Sequence, residues 1–210
     1  NVFWHTVVGD NPQRLREALD IARHRADILI TIGGLGPTYD DLTKQTICAA
    51  FGRKLVFHPE ILEEIRASYE RNLHTPMPEN NAQQAELPED CAIFDNPVGT
   101  APGCAFQEGS VHVLMLPGPP HEMRTMLRRC AVPYLRALSA EIIVSRDIMT
   151  FGLGESFVDQ LLHERMSRME NPTLATYAKP CEVRLRATAK AASREEAEAM
   201  LAPVVAEVRE

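Results

Sequence analysis

The stretch Thr31-Ile-Gly-Gly-Leu-Gly-Pro-Thr-Tyr-Asp-Asp-Leu-Thr43 constrains the fold more than any other part of the chain. The apolar run from Asp27 to Ile32 precedes it and reads as a buried strand. Leu42, Thr46, Ile47 and Ala50 follow at the spacing of one helix face. A glycine-rich turn between a strand and a helix is where open α/β sheets bind anionic ligands, because the helix N-terminus presents unpaired N–H groups. Gly33, Gly34 and Gly36 allow tight turning and close backbone approach. Residues Gly33, Gly34, Leu35, Gly36, Pro37 and Thr38 are therefore the predicted phosphate cradle. Thr38 and Asp40 are both candidate helix caps. Asp40 and Asp41 place two carboxylates where an anion would otherwise sit, which a bare phosphate loop would avoid. A site that holds phosphate through a divalent cation would want them.

Bulk properties narrow the classes. The 210 residues suffice for one good core and a smaller second unit. A net charge of −7 argues against general nucleic-acid binding. No apolar run approaches the roughly 20 residues that span a bilayer, and the opening Asn1-Val-Phe-Trp-His5 lacks the basic and apolar regions of a signal peptide. The cysteines at 48, 91, 104, 130 and 181 form no C-x-x-C pair, so reduced thiols in a cytoplasmic protein are expected.

Val2 to Val8 reads as a strand. Asn11 and Pro12 start a helix whose inner face is Leu15, Ala18, Leu19 and Ala22. With the strand to Ile32 this makes a βαβ unit, hence a parallel sheet. The helix after the glycine turn is expected to end near Gly52, before an extended Leu55–Phe57 and a helix presenting Ile61, Leu62, Ile65, Tyr69 and Leu73. Residues 74 to 90 read as a loop with a short helix. Asp95 to Gly103 is a rigid second turn, with two prolines and two glycines. Two strands, Gly103–Gln107 and Val111–Leu116, lead to a third turn, Leu116-Pro-Gly-Pro-Pro-His-Glu-Met123, with Glu122 in the first turn of the next helix. Pro133 should break or kink that helix. Beyond residue 140 the pattern changes to a strand, a helix with Phe157, Leu161, Leu162 and Met166 on one face, two strands, and a last helix capped by Ser193 with Glu196 completing a capping box. The expected domains are 1–140 and 141–210.

Three motifs stand in order: G-G-L-G-P-T-x-D-D-L-T at 33–43, N-P-V-G-T-A-P-G at 96–103 and L-P-G-P-P-x-E-M at 116–123. Together they resemble the N-terminal region of the competence/damage-inducible CinA family, whose domain is similar to molybdopterin-binding proteins of the MoaB, MogA and MoeA kind. G-L-G-E-S at 152–156, Asn171-Pro172, Tyr177-Ala178 and V-R-L-R at 183–186 resemble the small domain that follows in that family. The resemblance implies an α/β fold, a three-layer sandwich around a mostly parallel sheet, followed by a small α+β domain. Family members usually begin with a further strand, a G-T-E-L-type turn and a helix; this sequence opens after them, so part of the site is expected to lie outside it. It does not continue into the nicotinamide-mononucleotide deamidase domain of full-length members, and deamidase activity is not expected.

The resemblance further implies divalent-metal-dependent hydrolysis of ADP-ribose to AMP and ribose 5-phosphate, with magnesium, manganese or cobalt. Asp40 and Asp41 are the expected metal ligands. Asp41 ranks above Asp40 because D-x-T, ending at Thr43, matches the catalytic-loop aspartate of the MogA-like relatives; Thr43 joins the ligand-binding set on the same ground. Glu122 is the second catalytic candidate, as a metal ligand or as the group that activates water, against a plain first-turn carboxylate stabilised by the helix dipole. Gly99 and Thr100 from the second turn and Gly118 and Pro119 from the third complete the expected ligand contacts. Asn81 and Gln84 are weaker candidates for a ribose or base, with a solvated helix face the plainer reading. His121 is expected at the surface, and Arg184 and Arg186 on a solvated or partner-facing strand face. The alternatives are a molybdopterin-binding or cofactor-biosynthesis module, and a non-catalytic domain of a competence or damage response. A homodimer is expected, and a membrane is not.

Overall fold

The computed structural model describes residues 2–180 and 182–209, excepting the side chains of Asn72 and Leu73. It divides into two compact units, Asn1–Leu135 and Arg136–Glu210.

The first unit opens with helix α1 (Pro12–Ala22). Asn11 accepts the Arg14 N–H at 3.0 Å and Pro12 takes the first helical position, so the start is fixed locally. Strand β1 (Ile28–Ile32) and helix α2 (Thr43–Phe51) follow, and Gly52 ends α2 with φ 67°. Next come β2 (Leu55–Phe57), α3 (Pro59–Leu73), a 3-10 helix over Glu79–Ala85, and β3 (Glu86–Pro88). Then come β4 (Ala92–Phe94), β5 (Gly103–Glu108), β6 (Val111–Leu116) and α4 (Pro120–Met126). A π-helical turn, Leu127–Ala131, leads into α5 (Val132–Ala137), so the disturbance expected at Pro133 spreads into a widened turn just before it.

The main sheet has the order β1-β6-β5-β4. β1 and β6 run parallel, from Ile28 opposite His112 to Ile32 opposite Leu116, and β5 is antiparallel to both its neighbours. The carboxyl ends of β1, β6 and β4 and the start of β5 therefore share one edge. Side chains of β6 alternate between two cores. Val113 and Met115 pack with α1, α2 and α3, while Leu114 and Leu116 pack with Phe94, Ala105, Met126 and Ala131. This is a three-layer α/β unit.

Several expectations change. The sheet is mixed, because the β4-β5-β6 meander contributes two antiparallel pairs and β1-β6 the parallel one. Val2–Val8 forms no strand. β-branched composition cannot make a strand without an adjacent edge to pair with, and no described strand pairs with this segment. Its side chains are largely exposed, and its Trp4 ring stacks 4.6 Å beneath the Arg25 guanidinium. On α3, Ile61, Leu62, Ile65 and Tyr69 meet the core, and the Leu73 side chain lies outside the described residues. β3, within the stretch read as loop, pairs with β2 in a separate two-stranded sheet. Cys48 and Cys104 are buried free thiols, and burial pushes the Cys48 thiol up to about 11; Cys91 and Cys130 are half-buried and also free. Cys181 lies outside the described residues.

The second unit packs β7 (Ile142–Phe151), β9 (Glu182–Ala191) and β8 (Thr173–Lys179) into an antiparallel sheet of order β7-β9-β8, with helices α6 (Glu155–Arg168) and α7 (Arg194–Arg209). Val183, Leu185, Ala187 and Ala189 of β9 point inward with Leu201 and Val204 of α7. On α6 the inner face is Val158, Leu162 and Met166. Phe157 and Leu161, expected on that face, are 51% and 65% exposed, since residues one position back are turned about 100° around the helix. On the sheet's other face Asp147 accepts from Arg186 at 2.7 and 3.0 Å, and the Arg184 and Arg186 guanidinium groups lie over the Tyr177 ring. The Arg186 hydrogen bond holds the Asp147 carboxyl below its ordinary value. Ser193 accepts the Glu196 N–H at 3.1 Å and Glu196 reaches back to the Ala192 N–H, so the box closes one residue early. Ser193→Ala is expected to lower the stability of this unit by roughly 1 kcal/mol, read as a shift in denaturant midpoint at unchanged slope.

Candidate functional site

The glycine turn is shaped by what its backbone must clear. The Gly33 N–H continues the β1–β6 ladder to the Leu116 carbonyl at 2.9 Å, and the chain then turns with φ 97° at Gly33 and 69° at Gly34. A Cβ at Gly34 would fall 2.0 Å from Thr43 Oγ1, and one at Gly36 would fall 2.5 Å from Asp41 Oδ2. The turn is thus folded down onto Thr43 and Asp41, and the Thr43 N–H donates to the Gly34 carbonyl at 3.2 Å. The N–H groups of Gly34, Leu35 and Gly36 have no acceptor among the described residues. Leu35 anchors the turn by burying its side chain in the core.

Asp41 Oδ2 accepts the Thr38 N–H at 2.9 Å and lies 2.6 Å from the Thr38 hydroxyl; Asp40 Oδ1 lies 2.5 Å from the same hydroxyl. The one hydroxyl proton serves a single carboxylate at a time, so the two carboxylates share Thr38 and stand side by side. Its hydrogen bond holds the Asp40 carboxyl below the ordinary carboxylate value. Neither aspartate caps α2, nor does Thr38: the cap position is Leu42, without a side-chain bond. Asp41 Oδ1 keeps no hydrogen-bond partner among the described residues, and the Asp40 carboxylate has only its own backbone N–H beside the Thr38 hydroxyl. Among those residues no group of three or more acidic, histidine or cysteine side chains could hold a metal alone. Two paired carboxylates without a closed cage fit a hard, oxygen-seeking ion that keeps waters and takes ligand oxygens, as magnesium does, and do not fit a closed structural zinc site.

The other two turns meet this one at the same edge. Gly118 lies against Gly33, where a Cβ at 118 would stand 3.4 Å from the Gly33 Cα. Pro119 caps α4 and its carbonyl accepts the Met123 N–H at 3.0 Å. Glu122, in the first turn of α4, accepts from Asn96 Nδ2 at 2.7 Å, and the same Asn96 amide donates to the Ala101 carbonyl at 2.9 Å. Gly99 sits on the Glu122 carboxylate, with 2.1 Å for an added Cβ. The Thr100 hydroxyl has no hydrogen-bond partner among the described residues. Glu122 therefore ties the second turn to the third. His121 is exposed.

Sequence reasoning missed the support beneath the turn. Asn80 Nδ2 donates to the Pro37 carbonyl at 3.0 Å, and Gln83 Nε2 to the Gly36 carbonyl at 2.9 Å and the Thr38 carbonyl at 3.4 Å. Asn81 and Gln84 do not form a solvated face: they are 2% and 1% exposed, and Asn81 accepts from the Tyr69 hydroxyl at 3.2 Å. A 3-10 turn points residues three apart the same way, which puts Asn80 and Gln83 on the turn and Asn81 and Gln84 in the core. Lys44 was also missed, although its spacing to Ile47 and Cys48 marks an inward position.

Comparison with known proteins gives the family. Residues 1–137 match the family described as probable molybdopterin binding domain, and residues 145–210 match the damage-inducible protein CinA KH domain. A CinA-like protein of Dictyoglomus turgidum is 46% identical over 208 residues, 99% of this chain and 50% of the relative. A CinA-like protein of Kosmotoga olearia is 42% identical over 209 residues, 100% of this chain and 50% of the relative. The chain spans about half the length of the curated relatives it matches. Among solved structures, the protein CinA of Thermoplasma acidophilum, described as of unknown function, aligns at 31% identity over 59% of this chain and 72% of its own, with a TM-score of 0.52. No helix among the described residues is long and apolar enough to cross a membrane. The chain belongs to the molybdopterin-binding domain family in its CinA form, with that domain followed by the CinA KH domain.

Proposed function

We propose that the first unit hydrolyses the pyrophosphate of ADP-ribose, giving AMP and ribose 5-phosphate. The observation that carries this reading is one edge of the sheet on which three N–H groups without acceptors stand beside two carboxylates that share Thr38. A pyrophosphate is an anion that needs both donors and a bridging cation. Asp40 and Asp41 would hold a magnesium, manganese or cobalt ion, which would supply charge neutralisation on the phosphate oxygens. Gly34, Leu35 and Gly36 donate to those oxygens in the region where charge builds up. Glu122, anchored through one oxygen by Asn96, keeps Oε1 to take a proton from the attacking water. The water oxygen bonds to one phosphorus as the bridging P–O bond breaks, and the proton leaves through Glu122.

The test is incubation with ADP-ribose and manganese or cobalt, with AMP followed by chromatography. Manganese-dependent AMP release supports the reading. No release, together with tight binding of molybdopterin, overturns it in favour of the second ligand, which the matched family's description favours.

A further inference from the structure

Lys44, the second residue of α2, is 4% exposed. Among the described residues no carboxylate lies within ion-pair distance of its ammonium; Glu86 acts on it from further away. Burial lowers its pKa below that of an ordinary lysine. A buried cation without a partner carboxylate is costly, and an apolar side chain of similar volume would stabilise the core better. Packing alone therefore does not explain a lysine here.

Its contacts do. Nζ donates to the Gln83 carbonyl at 2.8 Å and the Gln84 carbonyl at 3.5 Å. These carbonyls stand at the end of the 3-10 helix Glu79–Ala85, where the Gln83 carbonyl also accepts the Glu86 N–H, so Lys44 takes its second lone pair. The same helix grips the glycine turn: its Gln83 and Asn80 amides take the carbonyls of Gly36, Pro37 and Thr38. Three consecutive carbonyls are thus tied to one strap, while the Gly34, Leu35 and Gly36 N–H groups are left without acceptors.

We infer that Lys44 is a positioning residue: it fixes the strap through Gln83, and the strap holds the carbonyls of the anion-binding turn away from the ligand. This rests on the reading of the turn as a pyrophosphate cradle. Lys44 touches no ligand and acts through two hydrogen-bonded steps. The inference predicts that Lys44 and Gln83 lie on one path, so their effects on the turn are shared.

The experiment compares the parent chain with Lys44→Met, Gln83→Met and the double variant. Hydrogen exchange is read at the Thr38 and Asp41 amides, which donate to Asp41 Oδ2 and to the Thr38 carbonyl. Each single variant is expected to speed exchange there about tenfold or more, leaving β5 and β6 amides unchanged, as for a local opening. The double variant should add little to either single, because residues acting in one network are not additive. In the turnover assay each should lower kcat/KM for ADP-ribose by roughly 10- to 100-fold, as for a slightly misplaced binding group. Unchanged exchange at Thr38 and Asp41, or strictly additive effects, overturns the inference. If the parent chain releases no AMP and binds molybdopterin tightly, the hydrolase reading fails while the exchange arm still decides the role of Lys44. Gln83→Met leaves the buried lysine in place, so it keeps the test alive if Lys44→Met does not fold.

Discussion

An Asp41→Ala variant is expected to release AMP from ADP-ribose about a hundredfold to a thousandfold more slowly than the parent chain, the range set by losing one charge-stabilising group, while retaining its melting profile. The loss has two sources. Asp41 is one of the two carboxylates placed to hold a divalent ion, and its Oδ2 accepts the Thr38 N–H and lies against the Thr38 hydroxyl. Removing it takes away a ligand and frees the residue that shapes the turn. Asp40→Ala should cost less, about tenfold on the scale of a partial electrostatic contribution, because its side-chain contact in the turn is the Thr38 hydroxyl. Circular dichroism on both variants separates chemistry from folding. Equal activity of Asp41→Ala and the parent chain would remove Asp41 from the site, and a larger loss for Asp40→Ala would reverse their ranking.

Gly34→Ala is expected to destabilise the first unit by roughly 2–4 kcal/mol and lower its melting midpoint by about 10 °C. Two causes add. A φ of 69° costs an alanine about 1 kcal/mol, and the new Cβ would meet Thr43 at 2.0 Å from Oγ1, 2.8 Å from Cβ and 3.3 Å from the backbone nitrogen. Rotating the threonine clears the first contact and leaves the other two, so Thr43→Ala should not rescue the variant. Gly52→Ala is the internal control: φ is 67° and nothing lies within 4 Å, so it should show the backbone cost alone. Melting curves of the three variants isolate the steric part. A Gly34→Ala protein no less stable than Gly52→Ala would mean that the turn does not sit on Thr43.

Much of this arrangement could be read from the residues because it is encoded locally. Asn11-Pro12, Gly52 and the Ser193/Glu196 box fix helix ends within a few residues, and each does so in the structure. The three turns were legible as glycine and proline clusters between periodic segments. Their convergence depends on register, which puts Ile32, Leu116, Phe94 and Gly103 at one edge, and a single chain does not spell out register. Val2–Val8 was misread because strand propensity is local while strand formation needs a partner edge. Phe157 and Leu161 were misplaced because a run of Phe157, Val158, Leu161 and Leu162 satisfies two overlapping helix faces, and only packing selects one. The strap escaped notice because Asn80, Asn81, Gln83 and Gln84 are chemically alike, and a 3-10 turn sends neighbours about 120° apart.

The near-touching backbones of Gly33 and Gly118 make the first and third turns a single mechanical part. A side chain larger than a methyl at position 118 would push on the other turn, and the φ of 97° at Gly33 penalises any side chain there. Position 33 is restricted to glycine by its backbone, and position 118 to glycine or alanine by the room beside Gly33. Altered selectivity, whether by natural drift or in a randomised library, must come from the second turn, where Val98 and Thr100 carry side chains and Asn96 holds the frame. Libraries that randomise 97, 98 and 100 should yield folded proteins with shifted ligand preference, whereas those that randomise 33 and 118 should return mainly glycine at 33 and glycine or alanine at 118.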